Sequence, residues 1–165
     1  KENKIAFLEF LSHTLFAFES INLFVNNCMK SHNSFVKVRY GETDQMGVVY
    51  HGNYPQYLEV ARIEWLENLG ISYKKMEENG VMLPVYDMRI SFLKPAFFDD
   101  LLTVKTTLRK TPRASIVFDY EITNQNQELL TKAETTLVFV DMKSNRPTRC
   151  PEYVLELLAE DEATE

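Results

Sequence analysis

The chain has 165 residues, 45 % of them hydrophobic and 12 % aromatic, which is enough to bury the core of one domain. Its 24 acidic and 18 basic residues give a net charge of −6. This balance argues against a nucleic-acid-binding protein, because such proteins need a basic face to replace counterions.

The two cysteines, Cys28 and Cys150, form no CxxC motif, and the three histidines show no metal-ligand spacing. We therefore expect no metal site. Free thiols in a reducing cytosol are the simpler expectation, with a disulfide as the alternative.

The first 34 residues are rich in leucine and phenylalanine, and their apolar positions recur at roughly helical spacing. Glu9, His13 and Glu19 interrupt the apolar run, so the segment is too polar for a membrane span and lacks the core of a signal peptide. We expect an amphipathic helix here, in an appendage at 1–34 that precedes a domain at 35–160. Residues 161–165 form an acidic tail. The expected protein is cytoplasmic, with no insertion into a membrane.

A strand and a polar loop open the domain. Ser34–Tyr40 alternates β-forming side chains with Lys37 and Arg39, which predicts a strand. Residues 41–47 are polar and rich in turn formers, so the strand is predicted to end there. The loop carries one carboxylate, Asp44, and leads into the apolar step Val48-Val49-Tyr50.

A long helix is predicted between Asn53 and Gly70. Asn53 is a good N-cap, Pro55 suits the first turn, and Gln56 stands in a capping-box position. Gly70 is predicted to end the helix.

The predicted helix has one broad apolar stripe, in which residues recur at spacings of three and four. The stripe contains Tyr54, Tyr57, Leu58, Ala61, Trp65, Leu66 and Leu69. Four polar residues are assigned to the other faces: Gln56, Glu59, Arg62 and Glu67. Val60 and Ile63 widen the apolar surface, so we expect a helix that is wrapped on more than one side.

The rest of the chain is mainly of β character. A short helix is predicted at 71–80, strands at 84–96, 101–110, 115–123 and 129–142, and a closing helix at 151–159. In the strand at 84–96, a period of two places four side chains on one face: Tyr86, Met88, Ile90 and Phe92. The order of strand, long helix and four strands predicts an α+β fold in which an antiparallel sheet wraps one central helix.

The sequence VRYGETDQMGVVYHGNYPQYLEVARIEWL at 38–66 resembles the opening motif of the hotdog-fold acyl-CoA thioesterases of the 4-hydroxybenzoyl-CoA thioesterase type. It is most similar to the Tol–Pal-associated, YbgC-like branch. The matching residues are Thr43-Asp44, Gly47 to His51, Tyr54, Glu59 and Ala61-Arg62. A second resemblance covers Ile90 to Ala96 with Asp99 and Asp100. The resemblance extends from about Phe35 to Leu158 and implies the hotdog fold.

The resemblance implies a catalytic role for Asp44, either as nucleophile or as general base on water, and both roles stay open. An aspartate in an arbitrary turn would instead cap nearby backbone N–H groups. The start of the helix is the oxyanion candidate, because amides of the first turn have no intrahelical partner. By resemblance, the donor is the backbone N–H at or next to His51. The His51 side chain either orients the substrate or ties the loop to the helix.

Several residues are assigned to substrate binding. Gly47 would let the backbone approach the substrate, and pocket residues are expected at Val49, Tyr50, Gly52 and Tyr54. The densest basic cluster is predicted to bind the phosphates of coenzyme A, although an ordinary solvated turn is an equal alternative. This cluster is Arg109, Lys110 and Arg113. Glu59 is assigned to a polar or interface position and Trp65 to the core. No metal or organic cofactor is implied.

The resemblance thus implies a homodimer or homotetramer that hydrolyses acyl-CoA thioesters to free acid and coenzyme A. The resemblance implies that two sheets join and that the active sites lie at the interface. Alternatives are a thioesterase for acyl carrier protein or for aromatic acyl-CoA, a hotdog hydratase or dehydratase, and a non-catalytic acyl-CoA-binding or scaffold protein.

Overall fold

The structure, a computed structural model, describes residues 30–160. The helix predicted in the N-terminal segment, Cys28 and the acidic tail lie outside the described residues. The strand that opens the domain, β1, spans Ser31–Lys37.

Five strands form one antiparallel sheet in the order β1-β4-β5-β6-β3. Besides β1, these strands are β3 (Val85–Phe92), β4 (Leu101–Leu108), β5 (Ser115–Thr123) and β6 (Leu129–Val138). A second, three-stranded sheet contains β2 (Val81–Met82), β7 (Val140–Asp141) and β8 (Arg146–Pro147). In the large sheet, β1 and β3 are the edge strands.

One long helix packs on the large sheet, as the sequence predicts. This helix, α1, spans Tyr54–Asn68, and its apolar stripe is buried in the same core cluster as the inward side chains of the strands. Trp65 is in the core and meets Phe118 of β5 edge to face, with ring centroids 4.9 Å apart. Gly70 follows the helix with φ +78°, a conformation that glycine adopts without steric cost.

Two predictions about the faces of α1 are wrong. Arg62 was assigned to a polar face, yet it is 3 % exposed. It stands four residues after Leu58 and four before Leu66, so it lies on the buried stripe in spite of its charge. Val60 lies on the opposite face and is 46 % exposed. Within the described chain, α1 is therefore covered on one side only.

The shorter elements depart from the predicted boundaries. β1 begins at Ser31, inside the predicted appendage, because residues 31–33 pair with 105–107 of β4. In β3, a bulge between Val85 and Asp87 interrupts the alternation, and Tyr86 does not join the predicted face. The predicted strand at 129–142 is divided into β6 and β7, which belong to different sheets. The helices α2 (Tyr73–Glu78) and α3 (Glu152–Glu160) lie where they were predicted.

Candidate active site

The loop between β1 and α1 folds back on itself. Thr43 and Val49 form an antiparallel bridge, and the Asp44 amide donates to the Val48 carbonyl at 2.9 Å. The loop is also bonded to the segment that follows β3, because the Val49 amide donates to Ala96 O at 2.9 Å. These bonds hold the predicted catalytic loop against a part of the chain almost fifty positions away in sequence.

Asp44 lies in a tight turn at the tip of this loop. Its Oδ1 accepts a hydrogen bond of 2.8 Å from the Met46 amide, and its carbonyl accepts one of 2.9 Å from the Gly47 amide. Gly47 has φ +75°, so glycine suits this position for its backbone conformation. The described residues donate no hydrogen bond to Oδ2 of Asp44. One carboxylate oxygen thus fixes the turn and the other remains available to a substrate or water.

The helix begins with a 3₁₀ turn at His51–Asn53 that continues directly into α1. The Asn53 amide donates to Tyr50 O at 2.9 Å, and the Tyr54 amide donates to His51 O. The amides of His51 and Gly52 have no hydrogen-bond acceptor among the described residues. Two adjacent N–H donors therefore stand at the positive end of the helix dipole.

Asn53 lies at the N-cap position of α1, as the sequence predicts, but it does not cap the helix with its side chain. Its backbone is already helical (φ −85°, ψ −23°), and its side chain makes no capping bond. Instead, Nδ2 of Asn53 donates to the carbonyl of Glu42 at 2.8 Å. The predicted capping box with Gln56 is therefore wrong, because the helical turn starts two residues earlier.

A cavity of about 300 Å³ lies between this loop and the segment that follows β3. It brings together four predicted site residues: Asp44, Val49, His51 and Tyr54. Its other lining residues are Met46, Val48, Phe92, Leu93, Lys94 and Pro95. Tyr54 and Phe92 meet edge to face, with centroids 4.9 Å apart, and form an aromatic wall. Burial raises the pKa of Tyr54, so its phenol stays neutral.

Residues 38–158 match the model of one protein family, the thioesterase-like superfamily. The chain belongs to this superfamily. It is 40 % identical over 112 residues to YneP of Bacillus subtilis, an alignment that covers 68 % of this chain and 81 % of YneP. It is 33 % identical over 120 residues to a protein of Escherichia coli O157:H7 named acyl-CoA thioester hydrolase YbgC, covering 73 % of this chain and 90 % of that protein.

Members of the thioesterase-like superfamily with known structures share its architecture. The crystal structure of a DHNA-CoA thioesterase from Staphylococcus aureus is similar with a TM-score of 0.75 and 36 % identity. The match covers 81 % of this chain and 91 % of that chain. The hotdog fold that the motif predicts is thereby confirmed.

Three further predicted residues of this thioesterase-like protein lie beside the cavity without lining it: Gly47, Tyr50 and Gly52. The Tyr50 ring lies next to the His51 ring, with centroids 4.3 Å apart. It also covers Gly52, since a Cβ at position 52 would come within 2.5 Å of Cε1 of Tyr50. Gly52 is thus needed for the close approach of the Tyr50 ring.

The residues of the predicted phosphate-binding cluster do not line this cavity. Arg109 Nε donates to Asp119 at 2.8 Å, and Nη2 donates to Glu134 at 2.6 Å. These carboxylates raise the pKa of Arg109 above its ordinary value, so the guanidinium stays protonated, and their negative charges offset its positive charge. Lys110 and Arg113 lie in the β4–β5 connection and do not line the cavity. The cation at the cavity is Lys94, which is paired with Glu128.

Sequence analysis missed the cavity residues at 92–95. The signal for them was the second resemblance at Ile90 to Ala96, to which no binding role was assigned.

Glu59 lies on the exposed face of α1, 3.8 Å from Arg62, which agrees with a polar position. In residues 30–160, no three His, Cys, Asp or Glu side chains are grouped so as to hold a metal ion. No helix in the same range is long and apolar enough to cross a membrane.

Proposed function

We propose that this protein hydrolyses acyl-CoA thioesters to a free acid and coenzyme A. The observation that carries the proposal is the arrangement of one cavity, in which the Asp44 carboxylate faces the same space as the start of α1. The amide of His51, which lines the cavity and has no hydrogen-bond acceptor among the described residues, is free to bind an oxyanion there, and the amide of Gly52 lies beside the cavity. The names of the relatives support the same chemistry.

In the proposed reaction, the thioester carbonyl oxygen is bound by the amide of His51, with the adjacent amide of Gly52 as a second candidate donor. Negative charge grows on this oxygen as the carbonyl carbon is attacked, and one such donor lowers the barrier by about 3 kcal/mol. Asp44 either removes a proton from the attacking water or attacks the carbon itself. The C–S bond then breaks and the thiolate leaves as coenzyme A. In the second route, water afterwards hydrolyses the anhydride at Asp44.

We further propose that Lys94 contacts a phosphate of coenzyme A. It is the cationic side chain among the lining residues, and its partner Glu128 is partly exposed, so a phosphate can compete for it. Arg109 is less suited because two carboxylates already bind it. The roles of Lys110 and Arg113 in binding the phosphates of coenzyme A stay predictions.

A second candidate substrate class is aromatic acyl-CoA. The edge-to-face pair of Tyr54 and Phe92 forms an aromatic wall of the cavity, and aromatic rings favour contacts with other rings. The structural relative from Staphylococcus aureus is named for an aromatic acyl-CoA, which supports the inclusion of such substrates. Acyl carrier protein is an alternative carrier of the acyl group.

The proposed enzyme is a cytoplasmic homodimer or homotetramer. Support for self-association comes from exposed apolar side chains of β3 and the cavity lining, namely Val85, Tyr86, Phe92 and Leu93, and from the exposed Val60 on α1. A patch of this kind is typical of an interaction surface.

The deciding experiment measures thiol release from short, long and aromatic acyl-CoAs, with acyl carrier protein substrates in parallel, for wild type and Asp44→Asn. We expect kcat for the preferred substrate to fall by about 10²-fold or more, with a small change in KM. The matched control is Asp141→Asn, because Asp141 also caps a turn, accepting from the Ser144 amide at 2.7 Å, but does not line the cavity. Full activity of Asp44→Asn, or no thiol release by wild type from any substrate, would contradict the proposal.

A further inference from the structure

A buried carboxylate lies two residues before Asp44. Glu42 is 6 % exposed, and both of its oxygen atoms are used. Oε1 accepts from Nε and Nη2 of Arg39, at 3.0 and 2.7 Å. Oε2 accepts from the Arg39 amide at 2.7 Å and from the Tyr57 hydroxyl at 3.0 Å. The side chain therefore joins the end of the β1 segment to the first full turn of α1.

The backbone of Glu42 makes the second half of this connection. Its carbonyl accepts from the Tyr50 amide at 2.9 Å and from Nδ2 of Asn53 at 2.8 Å. These two donors flank the His51–Gly52 turn on either side. One residue thus binds three parts of the chain that are separate in sequence: Arg39, the turn at 50–53, and Tyr57.

The two reacting parts of the cavity both depend on this residue. Asp44 follows Glu42 after a single residue, Thr43, which is bridged to Val49. The His51 and Gly52 amides lie between the two donors to the Glu42 carbonyl. A shift of Glu42 would therefore change the separation of the carboxylate and the oxyanion donors, and catalysis is sensitive to displacements of about 1 Å.

We propose that Glu42 is a positioning residue, which holds the Asp44 turn and the amides of the helix start in register for thioester hydrolysis. The inference rests on the proposed function for its kinetic consequence. Its structural consequence, a loop at 43–53 that loosens when the Glu42 bonds are removed, is independent of that function.

The charge of Glu42 is part of this arrangement. Burial alone would raise the pKa of its carboxyl group, but the hydrogen bonds from Arg39 and Tyr57 outweigh burial and hold the pKa below its ordinary value. The carboxylate is thus ionised at neutral pH. Burial and the nearby Glu42 raise the pKa of Tyr57, so the phenol remains the donor in this pair.

The mildest test is Tyr57→Phe, which removes one hydroxyl and keeps the ring in the core. Its matched control is Tyr120→Phe, because the Tyr120 hydroxyl also makes a buried hydrogen bond, of 2.9 Å to Thr135, but does not line the cavity. We expect Tyr57→Phe to lower kcat by about tenfold with a nearly unchanged KM. Tyr120→Phe should lower Tm while kcat stays at the wild-type value.

The second test measures backbone hydrogen exchange, which needs no substrate. In Tyr57→Phe and Glu42→Gln, we expect faster exchange over residues 43–53 and unchanged exchange in β5 and β6. Glu42→Gln keeps the size of the side chain and part of its hydrogen bonding, so its kcat should lie between those of wild type and Glu42→Ala. If Glu42→Ala does not fold, Tyr57→Phe still decides the question.

Two results would overturn the positioning role. One is wild-type exchange over 43–53 in both Tyr57→Phe and Glu42→Gln. The other is an equal loss of kcat in Tyr57→Phe and Tyr120→Phe, which would indicate a general effect of stability. If wild type shows no thioesterase activity but exchange over 43–53 increases in the variants, the proposed function fails and the structural role of Glu42 stands.

Discussion

At the scale of the residue, Gly52 controls how closely Tyr50 covers the helix start. A Cβ at position 52 would lie 2.5 Å from a ring atom of Tyr50, so one of the two must move. The Tyr50 ring is about half exposed and can move to another rotamer. This movement would break its contact with His51 and change the free energy of unfolding only slightly.

We therefore predict that Gly52→Ala changes Tm by only a few degrees but lowers kcat/KM by about threefold to tenfold. Gly41→Ala is the control, since a Cβ at position 41 meets no atom within 4 Å. If displacement of the ring is the cause, Gly52→Ala has no further effect in a Tyr50→Ala background. An additive loss would instead indicate a direct effect on the residue 52 amide.

A second prediction at the scale of the residue concerns Glu42 and the dependence of the protein's stability on pH. Its folded-state pKa is lowered, so its contribution is fully present above the unfolded pKa of about 4.3 and is lost as the pH falls through the folded pKa. The difference in free energy of unfolding between wild type and Glu42→Gln should therefore be largest near pH 7 and shrink below about pH 4. Urea unfolding at several pH values measures it. A difference that is constant with pH would refute the ionised state.

At the scale of the element, local patterns predicted much of the fold. β5 lies at 115–123 as predicted, because turn formers bound it on both sides. β1 begins earlier than its β-forming residues, since pairing with β4 recruits the polar residues 31–33. Asp44 and His51 lie within one short stretch of the sequence, and they line the same cavity, while their catalytic roles stay predictions. The Arg109 pairs depend on contacts between strands that are distant in sequence, which no local pattern reveals. Lys94, by contrast, lies in the segment of the second resemblance.

At the same scale, the burial of Arg62 departs from the local pattern of α1, and this burial has a measurable consequence. Its Nε and Nη1 atoms are buried and have no hydrogen-bond partner in the described chain, and its nearest carboxylate, Glu59, is 3.8 Å away and exposed. Its described partners are thus the exposed Glu59 and the Tyr120 hydroxyl, and a buried charge without a close carboxylate is often replaced by an apolar side chain without loss of stability. The sequence pattern predicts Arg62 largely off the apolar stripe, whereas the side chain is buried on it.

We predict that Arg62→Met leaves the free energy of unfolding unchanged or raises it by about 1 kcal/mol. Arg109→Met is the matched control and should lower it by up to about 1 kcal/mol, because two partly exposed carboxylates lose their common partner. Chemical denaturation of both variants measures the sign of the change in the free energy of unfolding. A loss of more than about 3 kcal/mol in Arg62→Met would show that the guanidinium has strong buried partners.

At the scale of the whole molecule, one side of the domain is left incomplete. β3 is an edge strand and pairs only with β6 in residues 30–160. On α1, Val60 is exposed, and the cavity beside β3 is lined by the half-exposed Phe92 and Leu93. An unpaired edge beside apolar side chains favours pairing with another chain. A second copy of this chain would cover the edge and narrow the cavity at the same time.

The last prediction tests this association through Tyr86, which is 79 % exposed on β3. A negative charge there would be buried without a partner in a dimer formed at this edge, so Tyr86→Glu should shift the protein toward monomer. Light scattering over a range of concentrations measures the mass. Met142→Glu is the control, because Met142 is also exposed but follows β7 in the other sheet. If the site is completed at the interface, the monomeric variant loses activity in proportion to its dissociation. A wild-type monomer that releases thiol from acyl-CoA would exclude this dependence.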